Sequence, residues 1–194
     1  MEKYKLIETP IKDLLIIETK IYKDDRGFFI ESYNLRDFAN LGINVNFVQD
    51  NHSMSKKGVL RGLHFQFKHP QGKLVRVISG KVFDVAIDLR LNSPSFGKWY
   101  GVELSGDNGL QFYIPEGFAH GFITLEDNTH FFYKCTDFYY HEDELGIIWN
   151  DPFLNIQWPI DHVNEVIISD KDKKLPSFNE MKELLIKEAS WRKL

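Results

Sequence analysis

Two short runs of this sequence carry side chains that an apolar strand does not need. In Gly58-Val59-Leu60-Arg61-Gly62-Leu63-His64-Phe65-Gln66 a guanidinium and an imidazole interrupt a hydrophobic stretch. Gln71-Gly72-Lys73-Leu74-Val75-Arg76 adds an ammonium and a second guanidinium. Farther along, Pro115-Glu116-Gly117-Phe118-Ala119-His120-Gly121-Phe122 brings a second histidine out of a Gly/Pro turn. Imidazole exchanges protons near neutrality, and a fixed ammonium stabilises negative charge on oxygen. A lone histidine in a strand is ordinarily a satisfied core residue, and a lone lysine a surface charge. Their company here points to a polar pocket inside a β-structure.

The elements that must position these groups are mostly strands. Leu14 to Tyr22 is rich in Ile and Thr, and Gly27 to Tyr33 follows the turn-like Asp24-Asp25-Arg26. Val75 to Ile78 and Lys81 to Asp88 flank Ser79-Gly80, which reads as a hairpin turn. In the second of these, Val82, Asp84, Ala86 and Asp88 alternate with Phe83, Val85, Ile87 and Leu89. Trp99 to Leu104, Gln111 to Ile114, Gly121 to Leu125 and Thr129 to Thr136 continue the series. About ten closely spaced strands favour a sandwich or barrel over βαβ units. Asn34 to Leu41, closed by Gly42, predicts a short helix with Leu35, Phe38 and Leu41 inward. Ser177-Phe178-Asn179-Glu180 reads as a capping box for a C-terminal packing helix carrying Phe178, Met181, Leu184 and Leu185.

Size and charge narrow the classes. At 194 residues, with 43% hydrophobic residues and 16 phenylalanines, one domain with an ample core is expected across 1–194. Its core spans roughly residues 10–170 and its terminal helix roughly 177–190. A net charge of −4 argues against nucleic acid as a partner. The single cysteine, Cys135, excludes an internal disulfide and a cysteine-based zinc site, and reads as a small buried hydrophobe. No run approaches the roughly 18 apolar residues of a membrane helix, so a soluble, cytoplasmic protein with no membrane partner is expected.

The histidine segments resemble the paired motifs of the cupin superfamily. Gly58 is followed after five residues by His64, and Gly109, Pro115, Gly117 and His120 match the second motif throughout. Where cupins place their other metal ligands, this chain has Gln66 and Lys73. A protonated ammonium cannot ligate a cation and repels one, so no metal is expected. Nearly the whole chain is similar to the dTDP-4-dehydrorhamnose 3,5-epimerase family. The similarity runs through Asp25 to Asn34, Phe47 to Ser53, Leu60 to Gln66, Gln71 to Arg76, Ile114 to Phe122 and Phe132 to Lys134. The resemblance implies a mainly β, cupin-type jelly-roll fold with a few short helices and a C-terminal helix. It implies no cofactor, a homodimer, and a dTDP-linked 4-keto-6-deoxy sugar inverted at C3 and C5.

Both carbons flank the C4 ketone, so their protons are acidic through an enolate. A base must act on one face, an acid on the other, and a positive group must hold the enolate oxygen. By resemblance His64 is the base, Tyr133 the acid (with Tyr139 its rival) and Lys73 the clamp. The family's Ser-x-Lys-Asp motif reads here Ser169-Asp170-Lys171-Asp172, which makes Asp172 the carboxylate orienting His64, with Asp170 the alternative. Arg26, Arg61 and Lys171 are implied for phosphate and sugar contacts, Glu31, Gln49 and Asn51 for the nucleoside, and His120 and Glu144 for the hexose. Arg26 and Glu31 are implied to come from the neighbouring subunit. The remaining readings are a 3- or 5-only epimerase on another nucleotide sugar, a non-catalytic sugar-binding cupin, and a metal-dependent cupin. One conflict is visible in the residues. Arg61 and His64 are three apart, which on a regular strand puts them on opposite faces. A bulge at Gly62 is expected to bring them together.

Overall fold

Burial on both sides of the strands decides how they assemble. The computed structural model describes residues 3–191. In chain order they form β1 (Tyr4–Glu8), β2 (Leu15–Thr19), β3 (Tyr22–Asp24), β4 (Gly27–Phe29), α1 (Leu35–Asn40), β5 (Gln49–Ser55), β6 (Val59–Gln66), β7 (Lys73–Ser79), β8 (Lys81–Asp88), β9 (Trp99–Ser105), β10 (Leu110–Ile114), β11 (Phe118–Thr124), β12 (Thr129–Cys135), β13 (Glu144–Gly146), β14 (Ile167–Ile168) and α2 (Phe178–Trp191). One sheet runs β1-β2-β10-β7-β12-β5, the other β13-β6-β11-β8-β9 with β14 added to β6, and β3–β4 form a separate ribbon. All pairings are antiparallel except β14 on β6. This is the jelly-roll architecture the resemblance implies.

Three apolar clusters hold it. Val75, Val77, Phe112 and Phe131 of the first sheet meet Val82, Ala86, Leu104 and Phe122 of the second in the space between them. The outer face of the second sheet (Leu63, Val85, Ile87, Ile123) is covered by Trp158 and by Phe178, Met181 and Leu185 of α2. The outer face of the first (Ile17, Leu74, Tyr113) is covered by Phe38 of α1 and Ile43. Because β8 is apolar on both faces, Val82 and Ala86 look into the sandwich while Val85 and Ile87 look toward α2.

That arrangement overturns the hairpin expected at Ser79-Gly80. β7 pairs with β10 and β12, whereas β8 pairs with β9 and β11. The chain crosses from sheet to sheet at Gly80, whose φ is +82° and where a Cβ would lie 2.3 Å from Thr129 Oγ1. The two runs carry complementary apolar faces that pack against each other across the core, which edge-to-edge pairing would forbid. The strand count also exceeds ten: Leu14 to Tyr22 divides between β2 and β3, and β1, β13 and β14 are additional. Both helices form where expected. Asn34 caps α1 by accepting from Arg36 N and Asp37 N, Phe38 is buried, but Leu35 is 52% exposed rather than inward. The Ser177–Glu180 capping box is present, with Ser177 N donating to Glu180 Oε2 and Glu180 N to Ser177 Oγ. Phe178, Met181 and Leu185 are buried; Leu184 faces out.

Candidate active site

The conflict between Arg61 and His64 resolves at Gly62. On β11, His120 pairs with His64 and Phe122 pairs with Arg61, so two residues of β6, Gly62 and Leu63, oppose the single Gly121 of β11. The extra residue turns Arg61 and His64 to the same face, as the glycine suggested. Gly62 has φ +105°, and a Cβ there would lie 2.6 Å from His120 O and 2.7 Å from Gly121 Cα. Only hydrogen fits in that gap.

Between the sheets lies a cavity of about 790 Å³. His64, Asp172, Tyr133, Lys73, Arg61, His120, Gln49, Asn51, Glu144 and Lys171 all line it. On the second sheet's wall, His64 Nε2 is 2.8 Å from Asp172 Oδ1. Asp172 is buried, and its Oδ2 accepts from Gly62 N at 3.2 Å, so the bulge that aims His64 also fixes its carboxylate. Burial alone would raise the Asp172 carboxyl, but the hydrogen bond and charge of His64, with donors from Gly62 and Ser169, hold it below the ordinary carboxylate value. Asp170 instead pairs with Lys173 on the surface.

On the facing wall, Lys73 of β7 and Tyr133 of β12 come from the first sheet. The ammonium lies 5.9 Å from the Tyr133 ring centroid and makes no hydrogen bond among the described residues. Burial lowers the Lys73 pKa, opposed by the nearby Cys135, Asp84 and Glu144. Burial pushes the Tyr133 phenol up to about 12, which keeps it a proton donor at neutral pH. Cys135 is fully buried next to it, as expected, and accepts a 3.5 Å contact from Asn51 Nδ2.

The mouth is polar. Glu144 Oε2 accepts from both Lys171 Nζ and the Tyr139 hydroxyl. Burial would raise Glu144, but Lys171, His64 and Tyr139 hold it down. Tyr139 is 48% exposed, on the loop after β12, and its backbone N–H donates to Gln49 Oε1 at 2.9 Å. Gln66, at the position of a cupin ligand, turns its amide to loop backbone instead: it donates to His69 O and Phe138 O and accepts from Tyr140 N. Two residues stand apart from the cavity. Arg26 sits on the β3–β4 turn, paired with Asp24, and Glu31 is bonded to Lys3 and Asn34. Phe28 and Phe29 of that ribbon are also exposed.

A family model for dTDP-4-dehydrorhamnose 3,5-epimerase matches residues 8–180. The chain belongs to the dTDP-4-dehydrorhamnose 3,5-epimerase family. A member from Methanothermobacter thermautotrophicus is 53% identical over 173 residues, covering 89% of this chain and 94% of that one. The fold matches a dTDP-6-deoxy-D-glucose-3,5-epimerase from Legionella pneumophila in complex with dTDP-4-keto-L-rhamnose, with TM-score 0.89, 52% identity, and coverage of 94% of this chain and 96% of that one. It also matches a 3′-monoepimerase from Streptomyces bikiniensis in complex with dTDP-quinovose, with TM-score 0.83, 28% identity, and coverage of 91% and 89%.

Among residues that sequence reasoning left without a role, Asp84 stands out in this epimerase-family site. It is fully buried on β8, and both its oxygens lie 3.0 Å from His120 Nε2. The signal was available: a carboxylate alternating with Val82 and Ala86 in an otherwise apolar strand requires a buried partner. What was missing was the identity of that partner, which lies 36 residues away on β11.

Proposed function

We propose that this protein inverts C3 and C5 of dTDP-4-dehydro-6-deoxy-D-glucose, giving dTDP-4-dehydro-L-rhamnose for dTDP-L-rhamnose synthesis in the cytoplasm. One observation carries the reading. An imidazole held by a carboxylate on one cavity wall faces a phenol and a half-buried ammonium on the other. His64, with Asp172 accepting at Nε2, takes the proton from the carbon next to the C4 ketone. The C–H electron pair moves into the carbonyl, and Lys73 stabilises the resulting enolate oxygen. Tyr133 returns a proton to the same carbon from the opposite face, which inverts it. His64 then releases its proton to solvent and Tyr133 regains one from it, which restores both groups. Repeating the cycle at the second carbon completes an isomerisation that balances without oxidant or reductant.

Binding follows the chemistry of each part of the substrate. Arg61 and Lys171 at the cavity rim suit the diphosphate, because their positive charge meets its negative charge. Gln49 and Asn51 suit the nucleoside, and His120 and Glu144 the hexose. Arg26 and Glu31, outside this cavity, act in a homodimer in which the neighbouring copy supplies them. The exposed Phe28 and Phe29 on the same ribbon support that placement.

The test is incubation with dTDP-4-dehydro-6-deoxyglucose in deuterated water, with C3 and C5 followed by NMR. Deuterium at both carbons is the expected result, and His64→Ala should reduce it at both by at least ~10²-fold. Exchange at one carbon supports a mono-epimerase, a reading favoured by the likeness to the Streptomyces bikiniensis 3′-monoepimerase. No exchange leaves a sugar-binding role.

A further inference from the structure

At the cavity wall lies a second imidazole–carboxylate pair, His120 lining the cavity and Asp84 behind it, that the catalytic roles above do not use. Asp84 is 0% exposed, and its one hydrogen-bond donor among the described residues is His120 Nε2, 3.0 Å from each of its oxygens. A carboxylate bonded through both oxygens to a single ring nitrogen accepts one shared proton. The ring is therefore held with its proton on Nε2. His120 Nδ1, without a protein partner among the described residues, is left as an acceptor for a sugar hydroxyl. One N–H does not compensate a fully buried carboxylate. Lys73, across the sandwich, is half-buried and makes no hydrogen bond among the described residues, and each group acts electrostatically on the other.

We propose that Asp84 is a positioning residue of the reaction: it fixes the His120 tautomer toward the hexose and supplies the counter-charge that keeps Lys73 cationic beneath the enolate oxygen. The inference rests on the epimerase reading. It assigns Asp84 as an anion and Lys73 as a cation, with His120 neutral.

The charged and titratable groups around this trio come from every element packed on it. They are Cys135 and Tyr133 from β12, Glu144 from β13 and His64 from β6. Burial opposes the ammonium of Lys73, and Asp84 favours it. Removing the Asp84 charge therefore lowers the pH at which Lys73 loses its proton. The alkaline limb of the rate profile should move toward lower pH.

Two measurements test this. First, ¹⁵N NMR of the unsubstituted, histidine-labelled protein should show His120 neutral with its proton on Nε2 between pH ~6 and ~8. An imidazolium, or an Nδ1–H tautomer, overturns the assignment. Second, Asp84→Asn should lower kcat roughly 10- to 100-fold, change KM less than about threefold and move the alkaline limb down by about one pH unit. A lower kcat with an unmoved limb and an unchanged tautomer means that Asp84 only packs, which also overturns the proposal. The NMR arm needs neither substrate nor a substituted chain. If the unsubstituted protein fails to exchange C3 or C5, the function reading falls, and the tautomer is still decided separately.

Discussion

Gly62→Ala is the sharpest probe of how this fold builds its base. The new Cβ would sit 2.6 Å from His120 O and 2.7 Å from Gly121 Cα. An ordinary non-bonded contact is roughly 3.5 Å, so β6 and β11 must part by about 0.9 Å. The φ of +105° adds backbone strain of ~1–3 kcal/mol for a residue with a Cβ. Overpacking against backbone that cannot rotate away adds a further ~1–3 kcal/mol. The sum, about 4 kcal/mol, lowers Tm by roughly 8–16 °C for a chain of this size. The function suffers separately. Gly62 N donates to Asp172, which holds His64, so the shift moves both members of the pair. A misplacement near 1 Å costs on the order of 10²-fold in turnover. Thermal unfolding followed by circular dichroism, with deuterium exchange at C3 and C5 on the folded fraction, reads both effects. A Tm within about 2 °C of the parent, or undiminished exchange, would refute the claim that the glycine bulge sets the site.

Two further predictions follow from the carboxylates. Asp172→Asn keeps the shape but reverses the demand on His64 Nε2, so exchange at both carbons should fall on the order of 10²- to 10⁴-fold with little change in KM; retention of activity would remove Asp172 from the mechanism. Asp88 is fully buried at the end of β8; burial opposes its charge, but Arg90, Ser93 and Ser95 hold its pKa down to about 2. A depressed carboxylate contributes stability above its unfolded value near ~3.9 and loses it as pH falls toward the folded one. Asp88→Asn should therefore cost roughly 2 kcal/mol at neutral pH, shrinking toward zero near pH ~2. Urea unfolding of both proteins at several pH values checks this, and a pH-independent difference would count against it.

Much of this site was legible in the residues, and what was legible was local. The bulge at Gly62 could be inferred because strand alternation is a steric rule acting over a few residues, and Arg61 and His64 violate it. The capping box at Ser177 and the cap at Asn34 belong to the same class, since each satisfies backbone groups within one turn. Motif resemblance extended that reach to His64, Lys73, Tyr133, His120 and the Lys171-Asp172 pair. Pairing across the sandwich was not legible. Val75 to Ile78 and Lys81 to Asp88 look like a hairpin by spacing, yet they lie in different sheets because both present an apolar face to one shared core. Leu35 fits a helical period and still points outward, because only the packing of α1 on Tyr4 and Tyr33 through Phe38 decides which face is inside. Asp84 has a visible need for a partner, and only the β8–β11 register names His120 as that partner. The sequence by itself therefore determined the chemical groups, their local geometry and the family. The tertiary structure alone decided which walls face each other, because burial free energy depends on what covers a face, and no local pattern records that.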